Sequence, residues 1–213
     1  GKSTLVRMLS GSEVPDSGEI LLDDQRVRLD TPSVARSLGI ETVFQDLALA
    51  PHLDPVQNMY LGREIMRPGL MGRLGFMDTK AMRVGSRSAF DKLGATVGNL
   101  SGAVGSMSGG QKQGVAVARA AAWVSKVIFL DEPTAALGVR QTRNVLDLIR
   151  RVADDGIGVV FISHSMPHVM EVADRIQVMR QGRRVTTYAA KETNMEQLVA
   201  AMTGAFTDEE VAK

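Results

Sequence analysis

Apolar positions recur along this chain in two registers, one helical and one extended. Leu5, Val6, Met8 and Leu9 have helical spacing and stop at Gly11, which predicts a short helix with a glycine terminator. Gly18 to Leu22 reads as a strand, and Asp23-Asp24 turns it into a second short strand around Val27. Thr31-Pro32-Ser33 starts a helix that runs through Leu38, and Ile40 to Phe44 is a short apolar strand entering Gln45. From Asp46 to about Val124 the period becomes helical. Helices are predicted at Pro55–Glu64, Asp78–Leu93 and Ser108–Val124, with glycine-rich loops at Pro68–Gly75 and Gly94–Gly105. Strand and helix then alternate again. Val127–Leu130 and Val159–Ile162 read as buried strands, and Val139–Val152 as a helix with Val145, Leu148, Ile149 and Val152 on one face. Pro167–Ala173 is helical, Ile176–Met179 a strand, Gly182 a turn into Arg183–Thr187, and Met195–Met202 a closing helix.

This alternation implies an α/β fold with a mostly parallel core sheet covered on both faces, plus an antiparallel β element near the start. The segment 46–125 reads as an inserted helical subdomain. Segments 1–45 and 126–213 form the core around it. Hydrophobic residues make up 44% of 213 residues, enough for a sizeable core. The formal net charge of +1 gives no global basic field, which argues against nucleic acid as a partner. The absence of cysteine excludes thiol catalysis, disulfides and cysteine-ligated metals. No stretch approaches the ~20 apolar residues needed to cross a bilayer. The most apolar run, Val115–Val124, is interrupted by Arg119. Cytoplasmic placement is the default expectation, with docking onto a spanning partner if the protein works at a membrane.

Three local patterns suggest phosphate chemistry. Gly1-Lys2-Ser3-Thr4 matches the end of the phosphate loop G-x-x-x-x-G-K-[ST], in which backbone N–H groups and a helix N-terminus hold phosphate oxygens. Lys2 would reach the β and γ phosphates, and the Ser3 hydroxyl would ligate magnesium. The chain starts directly before this lysine, so its front half reads as lacking. Val127 to Leu130 is an apolar strand ending in Asp131-Glu132. Its tip would hold Asp131 beside magnesium, while Glu132 orients and polarises an attacking water. Ser108-Gly109-Gly110-Gln111 opens a helix that Ser108 can cap, with two glycines allowing close approach of backbone N–H groups to an anion.

In this order the residues resemble the ABC transporter ATPases, which are P-loop NTPases. Met107-Ser108-Gly109-Gly110-Gln111-Lys112-Gln113 resembles their signature motif, with methionine where leucine is usual. Gln45 resembles the Q-loop glutamine, also a magnesium contact, and His164 the switch histidine. Asp131 and Glu132 resemble the Walker B aspartate and the catalytic glutamate. The resemblance implies ATP and Mg2+ as cofactors and a head-to-tail dimer with a second ATPase subunit. In such a dimer Ser108, Gly109 and Gly110 would meet the γ phosphate held by the partner. It also implies membrane permease subunits as partners, a periplasmic sugar-binding protein indirectly, and a peripheral place on the cytoplasmic face of the inner membrane. Asn58 to Glu64, Gly114 to Ala120, Ala135 to Val139 and Met166 to Val169 resemble the single-cassette sugar importers more narrowly, so import of a monosaccharide is the expected function. A non-transport ABC ATPase is the competing expectation, as is a chain that binds nucleotide poorly because a central strand ahead of Gly1 is lacking. Gly138, where most relatives carry a D-loop aspartate, and Gly114, where many carry arginine, depart from the family pattern. His52 and His168 have no such support and read as structural or exposed. Trp123 reads as a packing residue, and the twelve methionines as core filler.

Overall fold

The computed structural model describes residues 1–95 and 97–205; the tail beyond Ala205 that sequence places in the core lies outside the described residues. Helix α1 (Lys2–Leu9) opens the chain, followed by an antiparallel pair, β1 (Ile20–Leu22) and β2 (Gln25–Val27). Asp23 and Asp24 join the pair with φ of 52° and 60°. Aspartate tolerates this left-handed region better than most side chains. Next come α2 (Pro32–Ser37), β3 (Ile40–Val43), α3 (Pro55–Tyr60), α4 (Leu70–Arg73), α5 (Thr79–Leu93) and α6 (Gly109–Trp123). The chain continues through β4 (Val127–Asp131), α7 (Val139–Asp154), β5 (Gly158–Ile162), α8 (Met166–Val172), β6 (Arg175–Arg180), β7 (Arg183–Ala189) and α9 (Met195–Thr203).

Strands β3, β4 and β5 form one parallel sheet in that order, with Val43 opposite Leu130 and Leu130 opposite Phe161. Successive side chains of a strand point to opposite faces, and β4 shows what covers each. Ile128 and Leu130 join Val115 and Val117 of α6 and Leu148 and Ile149 of α7 in one buried cluster. Phe129 joins Val6 of α1, Leu29 and Ile40 in another. Burying an aliphatic or aromatic side chain contributes roughly 1.5–3 kcal/mol, so α1, α6 and α7 are fixed against the strand that carries Asp131.

The β6–β7 hairpin is antiparallel and stands apart from the three-stranded sheet. It packs with α8 and α9 through Val169, Ile176, Val178 and Leu198. A cleft of about 780 Å³ lies between β5 and β6, lined by Val159 to Ile162, Ile176, Val178 and the α1 side chains Leu5 and Leu9.

Two elements differ from the sequence expectation by more than two residues. Helix α3 ends at Tyr60 rather than Glu64 because Gly62 turns the chain at φ 76°. The Glu64 carboxylate accepts the Gly62 N–H at 2.9 Å. That bond, more than any other influence, holds this carboxyl below its usual range. The second difference is α4, which forms inside the expected loop Pro68–Gly75 and is closed off by the bridge between Met66 and Met77. Four residues flanked by glycines carry too little periodicity to show it.

Candidate functional site

Because β3, β4 and β5 run parallel and in register, the residues just past their C-terminal ends gather at one edge. Gln45 follows β3, Asp131 ends β4 with Glu132 next, and His164 lies just beyond β5. Ligands of open parallel sheets bind outside this carboxyl edge. Asp131 is buried and sits opposite Ile162. The Glu132 N–H donates to the Ile162 carbonyl at 2.9 Å, which aims the glutamate at the start of the His164 segment.

The Glu132 side chain is 16% exposed, and its Oε2 lies 2.9 Å from Nδ1 of His164, whose own side chain is 75% exposed. No hydrogen bond is made across this contact, and Oε2 is buried without a hydrogen-bond partner. A buried carboxylate oxygen left open costs free energy unless a further group satisfies it. The edge therefore holds a buried carboxylate oxygen with the His164 ring nitrogen beside it.

Helix α1 supplies the complementary charge. Gly1 is its N-cap, no side chain caps it, and its first turn has no acidic residue. Lys2, Ser3 and Thr4 are exposed while Val6 is buried, so the helix is held by one face and presents its free N–H groups outward. Lys2 lines the same cleft as Ser163, the neighbour of His164.

The expected anion element at Ser108 has a different environment. Ser108 Oγ accepts the Gln111 N–H at 3.3 Å, and Gln111 Oε1 accepts the Ser108 N–H at 3.0 Å. This reciprocal pair fixes the start of α6, leaving the Gly109 and Gly110 N–H groups for another partner. The nearest side chains to the two glycines are Leu137 and Gln141. Among the described residues no hydrogen bond joins Ser108–Gln111 to Gly1–Thr4 or to Asp131–Glu132. The Ser108→Ala variant is expected to lose about 1 kcal/mol of stability, as loss of an N-cap typically costs. A urea titration would show a lower midpoint with unchanged slope.

Sequence reasoning missed what positions Gln45. That residue is exposed, and the chain after it takes left-handed conformations at Leu47 (φ 60°) and Ala48 (φ 45°). Arg119 of α6 donates to the carbonyls of Ala48 at 2.8 Å and Leu47 at 3.1 Å. Burial pushes the Arg119 guanidinium below the usual arginine range; Glu41 opposes this, and Arg36 and Arg63 add to it. In the sequence Arg119 showed only as an interruption of an apolar run. Trp123 packs as expected, edge-on to Tyr60 with ring centres 5.4 Å apart and beneath Arg63 at 4.9 Å. His168, read as structural or exposed, is half-buried and pairs with Thr134 at 3.2 Å.

Residues 1–135 match the family model described as ABC transporter. The chain belongs to the ABC transporter family. It is 51% identical over 207 residues to the fructose import ATP-binding protein FrcA of Rhizobium meliloti, covering 96% of this chain and 80% of that protein. It is 41% identical over 203 residues to the xylose/arabinose import ATP-binding protein XylG of Sulfolobus acidocaldarius, covering 95% of this chain and 78% of that one. It is 38% identical over 205 residues to the ribose import ATP-binding protein RbsA 1 of Burkholderia ambifaria, covering 96% of this chain but only 39% of that longer protein. A solved dimeric post-hydrolysis ATP-binding cassette bound to ADP and Pi superposes with a TM-score of 0.72 at 24% identity, over 89% of this chain and 81% of that one, which shows the fold. The ABC family binds ATP, and this chain is an ATPase component of an ABC importer. Among the described residues no helix is long and apolar enough to cross a membrane.

Proposed function

We propose that this ABC ATPase powers uptake of a monosaccharide, with Lys2, Ser3, Asp131, Glu132, Gln45 and His164 forming one hydrolytic site at the carboxyl edge of the sheet. The observation that carries the reading is the buried, unpartnered Oε2 of Glu132 beside His164, next to buried Asp131. The donor set suits a nucleoside triphosphate with Mg2+. Free helix N–H groups and Lys2 would hold phosphate oxygens, and Ser3, Asp131 and Gln45 are hard oxygen donors. Mg2+ would supply charge neutralisation on the phosphates when bound. Glu132 would hold the attacking water and take its proton at Oε2. His164 would orient from the exposed side. The backbone bond from Glu132 to Ile162 keeps both groups in register.

Ser108, Gly109 and Gly110 are exposed or partly exposed and stand without a bond to this edge, which supports a role toward a second copy in a head-to-tail pair. Segment 46–125, which holds α3 to α6, is proposed as the subdomain that meets the permease. Leu61, Ile65, Met66, Leu70, Met71, Leu74, Phe76 and Met77 are all exposed large hydrophobics within it. So many exposed apolar side chains within one short stretch support a protein contact there. The place of action is then the cytoplasmic face of the membrane. Fructose and pentoses are the first sugars to test, since the relatives named above import them.

The test is reconstitution with the cognate permease and sugar-binding protein in vesicles. ATP-dependent uptake of a monosaccharide is expected. Uptake should fall about tenfold or more in Lys2→Ala through weaker ATP binding, because a phosphate-contacting charge pair is worth more than a kcal/mol. Binding to DNA or ribosomes with no permease association would sink the reading.

A further inference from the structure

We propose that His168 is a positioning residue for Glu132, acting through Thr134. The inference rests on the reading of Glu132 as the group that holds the attacking water. Glu132 and Ala136 both have positive φ, 53° and 57°, within one five-residue turn. Neither is glycine, and a side chain in this region is strained, so the turn persists only where its surroundings over-determine it. The backbone supplies two restraints, Glu132 N–H to Ile162 O at 2.9 Å and Ala135 N–H to Glu132 O at 3.1 Å. Pro133 is fully buried. Among the described residues the turn makes one side-chain hydrogen bond, between buried Thr134 Oγ1 and His168 Nδ1 at 3.2 Å.

His168 lies on α8, only four positions beyond His164. The helix is a fixed platform. Val169 and Val172 are buried, Glu171 pairs with Arg143 of α7, and Arg150 donates to the Val172 carbonyl at 3.0 Å. The Ser165 N–H bonds Ser163 Oγ at 3.0 Å, which sets the path from His164 into α8. One short segment thus meets the turn twice: His164 lies beside the Glu132 carboxylate, and His168 grips Thr134 two residues later. Losing the second grip frees the strained turn to relax and moves the carboxylate, without touching the nucleotide-holding residues of α1.

The test uses the assembled transporter and steady-state ATP hydrolysis. In His168→Leu, kcat is expected to fall about tenfold while KM for ATP stays within about twofold, since small misplacements of a reacting group cost one to two orders of magnitude. His168→Asn should restore most of kcat, because its amide places a polar atom near Nδ1. His168→Gln, which mimics Nε2, should not. Thr134→Val should match His168→Leu, and the double variant should be no slower than either alone. Glu132→Gln runs in parallel: if it hydrolyses ATP normally, the underlying reading of Glu132 fails whatever His168 does. If Glu132→Gln is inactive, then an unchanged kcat in His168→Leu, failure of the asparagine rescue, or multiplying losses in the double variant overturns the positioning role.

Discussion

Glu132→Gln is expected to lower ATP hydrolysis by about 10²–10⁴-fold, the range spanned by loss of a positioned general base. The substitution is nearly isosteric. It keeps an oxygen and adds an amide, so the turn and its bond to Ile162 should survive. What disappears is Oε2, a carboxylate oxygen that is buried and without a hydrogen-bond partner among the described residues. An amide there cannot take a proton from water. ATP affinity should hold or rise, because removing a negative charge from beside a polyanion lowers repulsion. Trapped, ATP-loaded dimers in size-exclusion chromatography, with hydrolysis followed by phosphate release, would read both effects. Hydrolysis within about threefold of wild type would remove Glu132 from the chemistry and leave His164 as the alternative water-holding group.

Why the site was partly legible in sequence follows from which of its parts are local. Val127-Ile128-Phe129-Leu130-Asp131 shows its strand and its carboxylate in one continuous run, and the structure places β4 there. Convergence of Gln45, Asp131, Glu132 and His164 at one edge follows once the strands are parallel, since each residue ends a strand or lies just beyond one. Individual side-chain roles are not local. The reach of Arg119 to the carbonyls of Leu47 and Ala48 joins positions more than 70 residues apart, and in sequence it is only a charge within an apolar helix. His168 has no neighbour in sequence that marks it, because its partner Thr134 is brought to it by the pairing of β4 with β5. The positive φ of Glu132 was equally hidden, since glutamate gives no sign of a left-handed turn as glycine would.

The largest stability loss outside the hydrophobic clusters is expected at Asn58. Its side chain is fully buried on α3 and holds the segment that leads away from Gln45. Oδ1 accepts the Ala50 N–H at 2.8 Å. Nδ2 donates toward the carbonyls of Ala50 at 3.0 Å, Asp54 at 3.1 Å and Leu53 at 3.3 Å. An amide nitrogen has two hydrogens, so three acceptors share them and the longest bond is the weakest. Asn58→Leu preserves the volume and leaves the Ala50 N–H and its neighbouring carbonyls without this partner. The Ala50, Leu53 and Asp54 carbonyls keep the backbone N–H groups of Leu53, Val104 and Asn58, so the Ala50 N–H is the group stranded; with the amide bonds also lost, about 3 kcal/mol in total is expected. The urea midpoint should fall with the slope unchanged, and an effect within about 0.5 kcal/mol of wild type would show that solvent reaches these groups. The same segment is gripped at its other end by Arg119. Asn58 and Arg119 therefore act on one strained loop, and the double variant Asn58→Leu with Arg119→Met should lose less than the sum of the two single losses. Independent, additive losses would mean that the loop after Gln45 is two separate anchorages rather than one coupled element.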